Sequence, residues 1–163
     1  MARVYDAIVI GTGVIGASTA LALARDKRRV LCIEKLPASG YGSTSGSCAI
    51  VRPFYSTVDG SALAYESHFY WQEWADFLGT TDERGLARYV NCGSLVVKCA
   101  RNKYLEPVLR VMQQIGCPYR ELTPEEVKQK LPFVVMESFD PPRRPEDPKF
   151  AQSSGERLPG AVH

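Results

Sequence analysis

The stretch Ile8-Val9-Ile10-Gly11-Thr12-Gly13-Val14-Ile15-Gly16 constrains this chain more than any other. An apolar run, Ala7 to Ile10, stops at a glycine cluster, and a run rich in alanine and leucine, Ala17 to Ala24, follows. That order predicts strand, tight turn, helix. In such a turn Gly11 lets the chain reverse sharply. Gly13 leaves out the side chain that would keep a pyrophosphate away, and Gly16 lets the helix pack against the strand. The helix then aims its free N–H groups and the positive end of its dipole at the phosphates. A second apolar strand, Val30 to Ile33, ends at Glu34, eighteen positions after Gly16. That is close to the roughly 20 residues at which an acid grips a ribose hydroxyl. A lone G-x-G-x-x-G is a weak sign. Between a strand and a helix, with an acid closing the next strand, it marks a dinucleotide site. The bland alternative is an ordinary βαβ turn.

A chain of 163 residues has the length of one domain. Its net charge of +2 argues for neither nucleic acid nor a membrane surface as partner. No apolar run reaches the roughly 18 residues of a membrane span. Met1-Ala2-Arg3 leads directly into the first strand, which leaves no place for a signal peptide. Five cysteines, Cys32, Cys48, Cys92, Cys99 and Cys117, are irregularly spaced and form no C-x-x-C pair, and neither His68 nor His163 lies near such a pair. The pattern predicts no metal site. Reduced thiols in the cytoplasm are expected, with Cys32, inside an apolar strand, as plain core.

Taken in order, Tyr5 to Ile10 reads as a strand buried on both faces, being continuously apolar rather than alternating. The helix is expected over Val14 to Arg25, with Ala17, Leu21 and Ala24 on one face and the cations Arg25, Lys27 and Arg28 at its C-terminal end. Val30 to Glu34 returns parallel to the first strand. Residues 37–47 are small, polar and glycine-rich, and read as a loop whose hydroxyls and N–H groups can reach the same cofactor. Leu63 to Leu78, closed by Gly79, is an amphipathic helix whose aromatic stripe is expected to be core. His68 within it reads as a packing or surface residue.

Cys92 to Val97 is a strand candidate, and Asn102 to Ile115 a helix with Gly116 just past its end. Thr123-Pro124-Glu125-Glu126 opens another: a capping threonine, proline in the first position, glutamate in the third. From Pro141 onward, prolines and charges predict an extended or disordered tail.

By Arg52 the residues resemble a family. Tyr5 to Gly16, then Glu34-Lys35, Gly42-Ser43-Thr44-Ser45-Gly46-Ser47 and Ile50-Val51-Arg52 resemble the FAD-dependent amine oxidoreductases of the D-amino-acid oxidase type, which include sarcosine oxidase, glycine oxidase and dimethylglycine dehydrogenase. The resemblance continues through the tryptophan-rich helix, Gly93-Ser94-Leu95-Val96 and the helix at Thr123 to Pro132. It implies an α/β fold: a Rossmann-like FAD-binding βαβ unit with the beginning of an α+β substrate domain. The division it implies is 1–85 for the front of the FAD domain, 86–140 for the start of the substrate domain and 141–163 for the tail.

The resemblance also implies chemistry. FAD would lie with its pyrophosphate along Gly11, Gly13, Val14, Ile15 and Gly16. Its ribose would meet Glu34, with Lys35 alongside, and the loop residues Ser43, Thr44 and Ser45 would line it. Arg52 would bind the carboxylate of a small amine or amino-acid substrate, and Tyr55 would share it or shape the pocket wall. A hydride passes from the carbon beside the substrate nitrogen to the flavin, leaving an imine that water hydrolyses. No catalytic residue is identified. Several relatives tether their flavin through a histidine in the glycine-serine loop; here Ser45, Gly46 and Ser47 occupy that stretch. Family members are also much longer, so the chain is expected to be the N-terminal portion of such an enzyme. Two other readings remain open: a truncated, non-catalytic nucleotide-binding chain, and an NAD-dependent dehydrogenase.

Overall fold

The structure, a computed structural model, describes residues 4–163. Met1-Ala2-Arg3, and with them the expectation about a leader, lie outside the described residues. Contacts divide the chain into two units, Met1–Ile50 and Val51–His163.

In the first unit β1 (Ala7–Ile10), α1 (Val14–Arg25) and β2 (Val30–Ile33) form the expected βαβ turn. The strands are parallel, with Ala7 opposite Val30 and Ile10 opposite Ile33. The Gly11 N–H extends the ladder by donating to the Ile33 carbonyl at 2.7 Å. At the other end the Asp6 carboxylate accepts the Arg29 N–H at 2.7 Å, which ties the start of β2 to the start of β1. That N–H, and then the Arg29 guanidinium, hold the Asp6 carboxyl below the usual range.

The strand interior differs from expectation. Ile8 and Ile10 are 59% and 85% exposed, and Cys32 is exposed rather than core. Val9 faces α1, since its Cγ1 lies 3.3 Å from where a Gly16 Cβ would stand. Alternation along the strand then turns Ile8 and Ile10 away from the one helix of this unit. A continuous apolar run reports that both faces of a strand suit burial, not that both are covered.

In the second unit α2 is Val58–Gln72, α3 Trp74–Leu78, β3 Val96–Val97, α4 Leu105–Gln114, β4 Glu121–Leu122, α5 Pro124–Lys130 and β5 Ala161–Val162. The helix expected from Leu63 starts at Val58 instead, because the Thr57 hydroxyl caps it by accepting the Gly60 N–H. It breaks at Glu73, and Gly79 closes α3 in the left-handed region at φ 63°. Its aromatics pack on one another more than in a core. Trp71 and Trp74 stack at 4.4 Å between centroids, and Trp74 and Phe77 at 5.4 Å, while Leu63 and Phe69 are exposed.

Two small cores form. Val108 and Met112 of α4 join Cys117, with Phe54, Tyr65 and Ile115 against them, so α2 shares a core with α4. Burial there pushes the Cys117 thiol up from its ordinary value. The other core holds Leu122, Val127, Met136 and Ala161. Above it lies an antiparallel sheet in the order β3-β5-β4.

The expectation of an extended or disordered tail is corrected at its end. Ala161 is fully buried and Val162 6% exposed, as the middle strand of that sheet. Five prolines set the composition of the tail, but the last of them, Pro159, precedes two apolar residues that need no proline-free run longer than themselves. The strand expected over Cys92 to Val97 shortens to Val96–Val97, with Gly93 at φ 75°. The helix expected from Asn102 begins at Leu105. At α5 the capping box is complete: Thr123 Oγ1 accepts the Glu126 N–H at 3.2 Å, and Glu126 Oε2 accepts the Thr123 N–H at 2.8 Å. Among the described residues no helix is long and apolar enough to cross a membrane.

Candidate functional site

The turn between β1 and α1 is built as its glycines require. Gly11 has φ 91°, a conformation that a side chain strains. A Cβ on Gly16 would stand 1.9 Å from the Gly11 carbonyl oxygen, inside the backbone of the turn. A Cβ on Gly13 would meet only a side chain, Thr44 Oγ1, at 2.9 Å. Helix α1 has Gly13 as N-cap and no side-chain cap of its own. Its first N–H groups are therefore turned toward whatever lies before the helix. One of them, on Val14, donates to Thr44 Oγ1 at 3.0 Å.

The glycine-serine loop thus reaches the helix start, as its position after β2 implies. The Gly40 N–H donates to the Thr12 carbonyl at 3.1 Å. Ser45 turns the loop on itself, its N–H donating to Gly40 O at 2.9 Å and its hydroxyl to Gly42 O at 3.2 Å. Of the residues assigned to a cofactor, Gly11, Gly13, Val14, Gly16, Glu34 and Thr44 come together around one turn. Ile15, in the first turn of α1, is 81% exposed. Lys35 and Ser43 are exposed.

Glu34 stands one residue beyond β2, against the glycine turn. Its Oε2 accepts the Thr12 N–H at 2.8 Å and the Thr12 hydroxyl at 3.1 Å. Its Oε1 accepts the Leu36 N–H at 3.0 Å. The Thr12 N–H first, then that of Leu36, pull its carboxyl down to about 2. The group is charged at any physiological pH and its two oxygens retain lone pairs for a further donor. Thr12, which holds the Glu34 carboxylate, is a residue of this turn that sequence reading passes over. Its sign is a hydroxyl inside the glycine motif, but its partner lies 22 positions away.

A turn of glycines that carries no side chains, a helix start aimed at it and a carboxylate at the end of the neighbouring strand suit a phosphate and a ribose in one ligand. The residues present fit the ADP part of a dinucleotide such as FAD.

The two residues assigned to substrate belong to the second unit, and the structure brings them together. The Arg52 guanidinium carbon lies 5.4 Å from the Phe54 ring centroid and 5.1 Å from that of Tyr55. Both rings offer it the negative face of an aromatic quadrupole. A planar cation held this way keeps its outward N–H groups for a planar anion such as a carboxylate. His68 has a partner that the sequence did not indicate: its Nδ1 lies 2.8 Å from the Tyr89 hydroxyl. That pair closes an aromatic cluster with Tyr65 and Phe69.

Comparison with known proteins gives the chain's family. Residues 6–142 match the protein family described as FAD dependent oxidoreductase. Over 132 residues the chain is 30% identical to the peroxisomal sarcosine oxidase of Homo sapiens, an alignment covering 80% of this chain and 32% of that protein. Glycine oxidase from Bacillus cereus superposes with a TM-score of 0.67 at 23% identity, covering 98% of this chain and 38% of its own. L-proline dehydrogenase from P. horikoshii superposes with a TM-score of 0.66 at 23% identity, covering 81% and 34%. The chain spans about a third or less of the length of the curated relatives it matches.

Proposed function

The chain belongs to the FAD-dependent oxidoreductase family, and from that premise we propose that it holds the ADP half of FAD in an enzyme oxidising a secondary amine or amino acid. The relatives named for sarcosine and glycine support this substrate class. The observation that carries the cofactor side is the convergence of Gly11, Gly13, Thr44 and Glu34 on one turn.

In this reading residues 1–85 serve the cofactor and residues 86–140 open the substrate domain. The N–H groups at the start of α1 bind the pyrophosphate, and Thr44 trades its bond to Val14 for one to a phosphate oxygen. Glu34 accepts from the ribose hydroxyls while Thr12 fixes its orientation. Lys35, Ser43 and Ser45 flank the cofactor. When bound, the flavin supplies the two-electron acceptor for the substrate's carbon–nitrogen bond. Arg52 holds the substrate carboxylate through two parallel N–H bonds, which orients the carbon beside the nitrogen, and Tyr55 forms a wall beside it. Four exposed free thiols, Cys32, Cys48, Cys92 and Cys99, suit a reducing compartment, and a cytoplasmic location is part of the proposal.

Titration of the chain with ADP, FAD and 2′-phospho-ADP tests the cofactor assignment. The charge on Glu34 repels a 2′-phosphate, so ADP and FAD should bind at least about ten-fold more tightly than the phosphorylated ligand. Equal or tighter binding of 2′-phospho-ADP sinks it.

A further inference from the structure

Ser61 is a fully buried polar residue, and the proposed chemistry has no use for it directly. It stands in the first turn of α2. Its hydroxyl accepts the Tyr55 N–H at 2.9 Å and donates to the Tyr55 carbonyl at 3.1 Å. One side chain thus satisfies both backbone groups of a residue six positions earlier, in a segment with no regular structure. Gly60 makes the arrangement possible. A Cβ there would stand 2.8 Å from the capping Thr57 Oγ1 and 3.8 Å from Tyr55 Cβ. The loop from Tyr55 to Thr57 is therefore fastened at both ends to the same helical turn.

The next residue back is fastened differently: Phe54 packs against the core of Val108, Met112 and Cys117. Of the two residues whose rings face the Arg52 guanidinium, Phe54 is held by packing against that core and Tyr55 by the bonds of Ser61 to its backbone, its ring being partly exposed.

We propose that Ser61 is the positioning residue of the substrate-binding arm: its two bonds to the Tyr55 backbone set the segment from which the Tyr55 ring meets Arg52 and keeps it ready for a carboxylate. The proposal rests on the carboxylate role of Arg52 given above. It makes the specificity of the arm depend on a buried hydroxyl that never touches substrate. Alanine at this position removes both bonds, loosens the Tyr55 backbone that carries the ring and lets Arg52 leave the ring face.

The test uses the 163-residue chain with propionate as probe and propionamide as its uncharged match. Two readouts run together: the ring-current shift of the Arg52 δ protons by NMR, and propionate affinity. In Ser61→Ala the ring-current shift should collapse and propionate should bind roughly five-fold more weakly, with propionamide unchanged. Ser61→Cys fills the same space with a poor hydrogen-bonding group and should behave like the alanine variant. If cysteine restores both readouts, filling rather than bonding is the role, and the proposal is overturned. Unchanged readouts in a folded Ser61→Ala overturn it as well. Should neither variant fold, exchange of the Tyr55 amide in the unaltered chain decides: protection supports the clamp, and exchange at the open-loop rate refutes it. Arg52→Gln separates the two claims. If it leaves propionate binding intact, the carboxylate role fails, while the ring-current result still judges Ser61.

Discussion

Glu34 shows how much a single residue's role depends on where the fold puts its neighbours. Its carboxyl is drawn from 4.5 to about 2 by N–H donors. A carboxyl lowered by folding contributes stability that is complete above its unfolded value and is lost as the pH falls through the folded one. The stability contributed by the bonds from Thr12 and Leu36 should therefore be complete at pH 5 and decline between about 4.5 and about 2, while the bonds themselves give way only near about 2. A carbon-13 titration of the Glu34 side chain should give a midpoint near 2, with the Thr12 amide signal moving in step. A midpoint near 4.5 would mean that the carboxylate does not hold the turn. The acid itself was legible in the sequence, because the length of a βαβ unit fixes the distance from glycine to acid. Its partner was not. Thr12 is one hydroxyl among many until the parallel pairing of β1 and β2 brings it against Glu34. Ser61 escaped for the same reason: its bonds join a helix to an irregular segment, and no periodicity announces such a pair.

Among the elements, α1 and α5 carry the sharpest expectations. Alanine normally stabilises a helix over glycine by up to about 1 kcal/mol. At Gly16 the sign should reverse, because the added Cβ stands 1.9 Å from a backbone oxygen that cannot step aside. Gly16→Ala should lose about 2–4 kcal/mol in a urea melt. Gly13→Ala meets only the rotatable Thr44 hydroxyl at 2.9 Å, so its stability should stay within about 1 kcal/mol. Its affinity for FAD should nevertheless fall at least about ten-fold, since the methyl group enters the space assigned to phosphate. Equal stability losses in the two variants would remove the distinction between packing glycine and ligand glycine. Thr123→Ala, by breaking the capping box of α5, should cost about 1 kcal/mol in the same melt. Helices with local signals of this kind, a glycine turn or a threonine-proline-glutamate start, were read correctly to within a residue. Helix α2 was not. Its start depends on Thr57, six positions ahead of Leu63 where the apolar stripe begins, and its aromatics pack mostly on one another. The short strands β4 and β5 carry two residues each and have meaning only as partners.

At the scale of the whole molecule, the exposures point to an unfinished surface. Parallel strands are almost always covered on both faces, yet Ile8 and Ile10 of β1 are 59% and 85% exposed. With two strands, each edge of that sheet also carries unpaired backbone groups. The glycine oxidase it superposes on is a longer protein, of which this chain covers 38%. A dinucleotide held chiefly through its ADP half, as proposed above, leaves its flavin end in water, and affinity follows the surface that is buried and the groups that are fixed. The 163 residues in isolation should therefore bind ADP nearly as well as FAD, because the flavin end adds little. They should also associate as concentration rises from micromolar toward millimolar. Sedimentation velocity across that range checks the second expectation, and Ile8→Lys with Ile10→Lys should reduce the association while leaving ADP binding unchanged. Those side chains point away from α1 and the turn, so charge there removes the sticky face without touching the cradle. A chain that stays monomeric throughout, or one that binds FAD far more tightly than ADP, would show that these residues already enclose the flavin and complete the sheet by themselves.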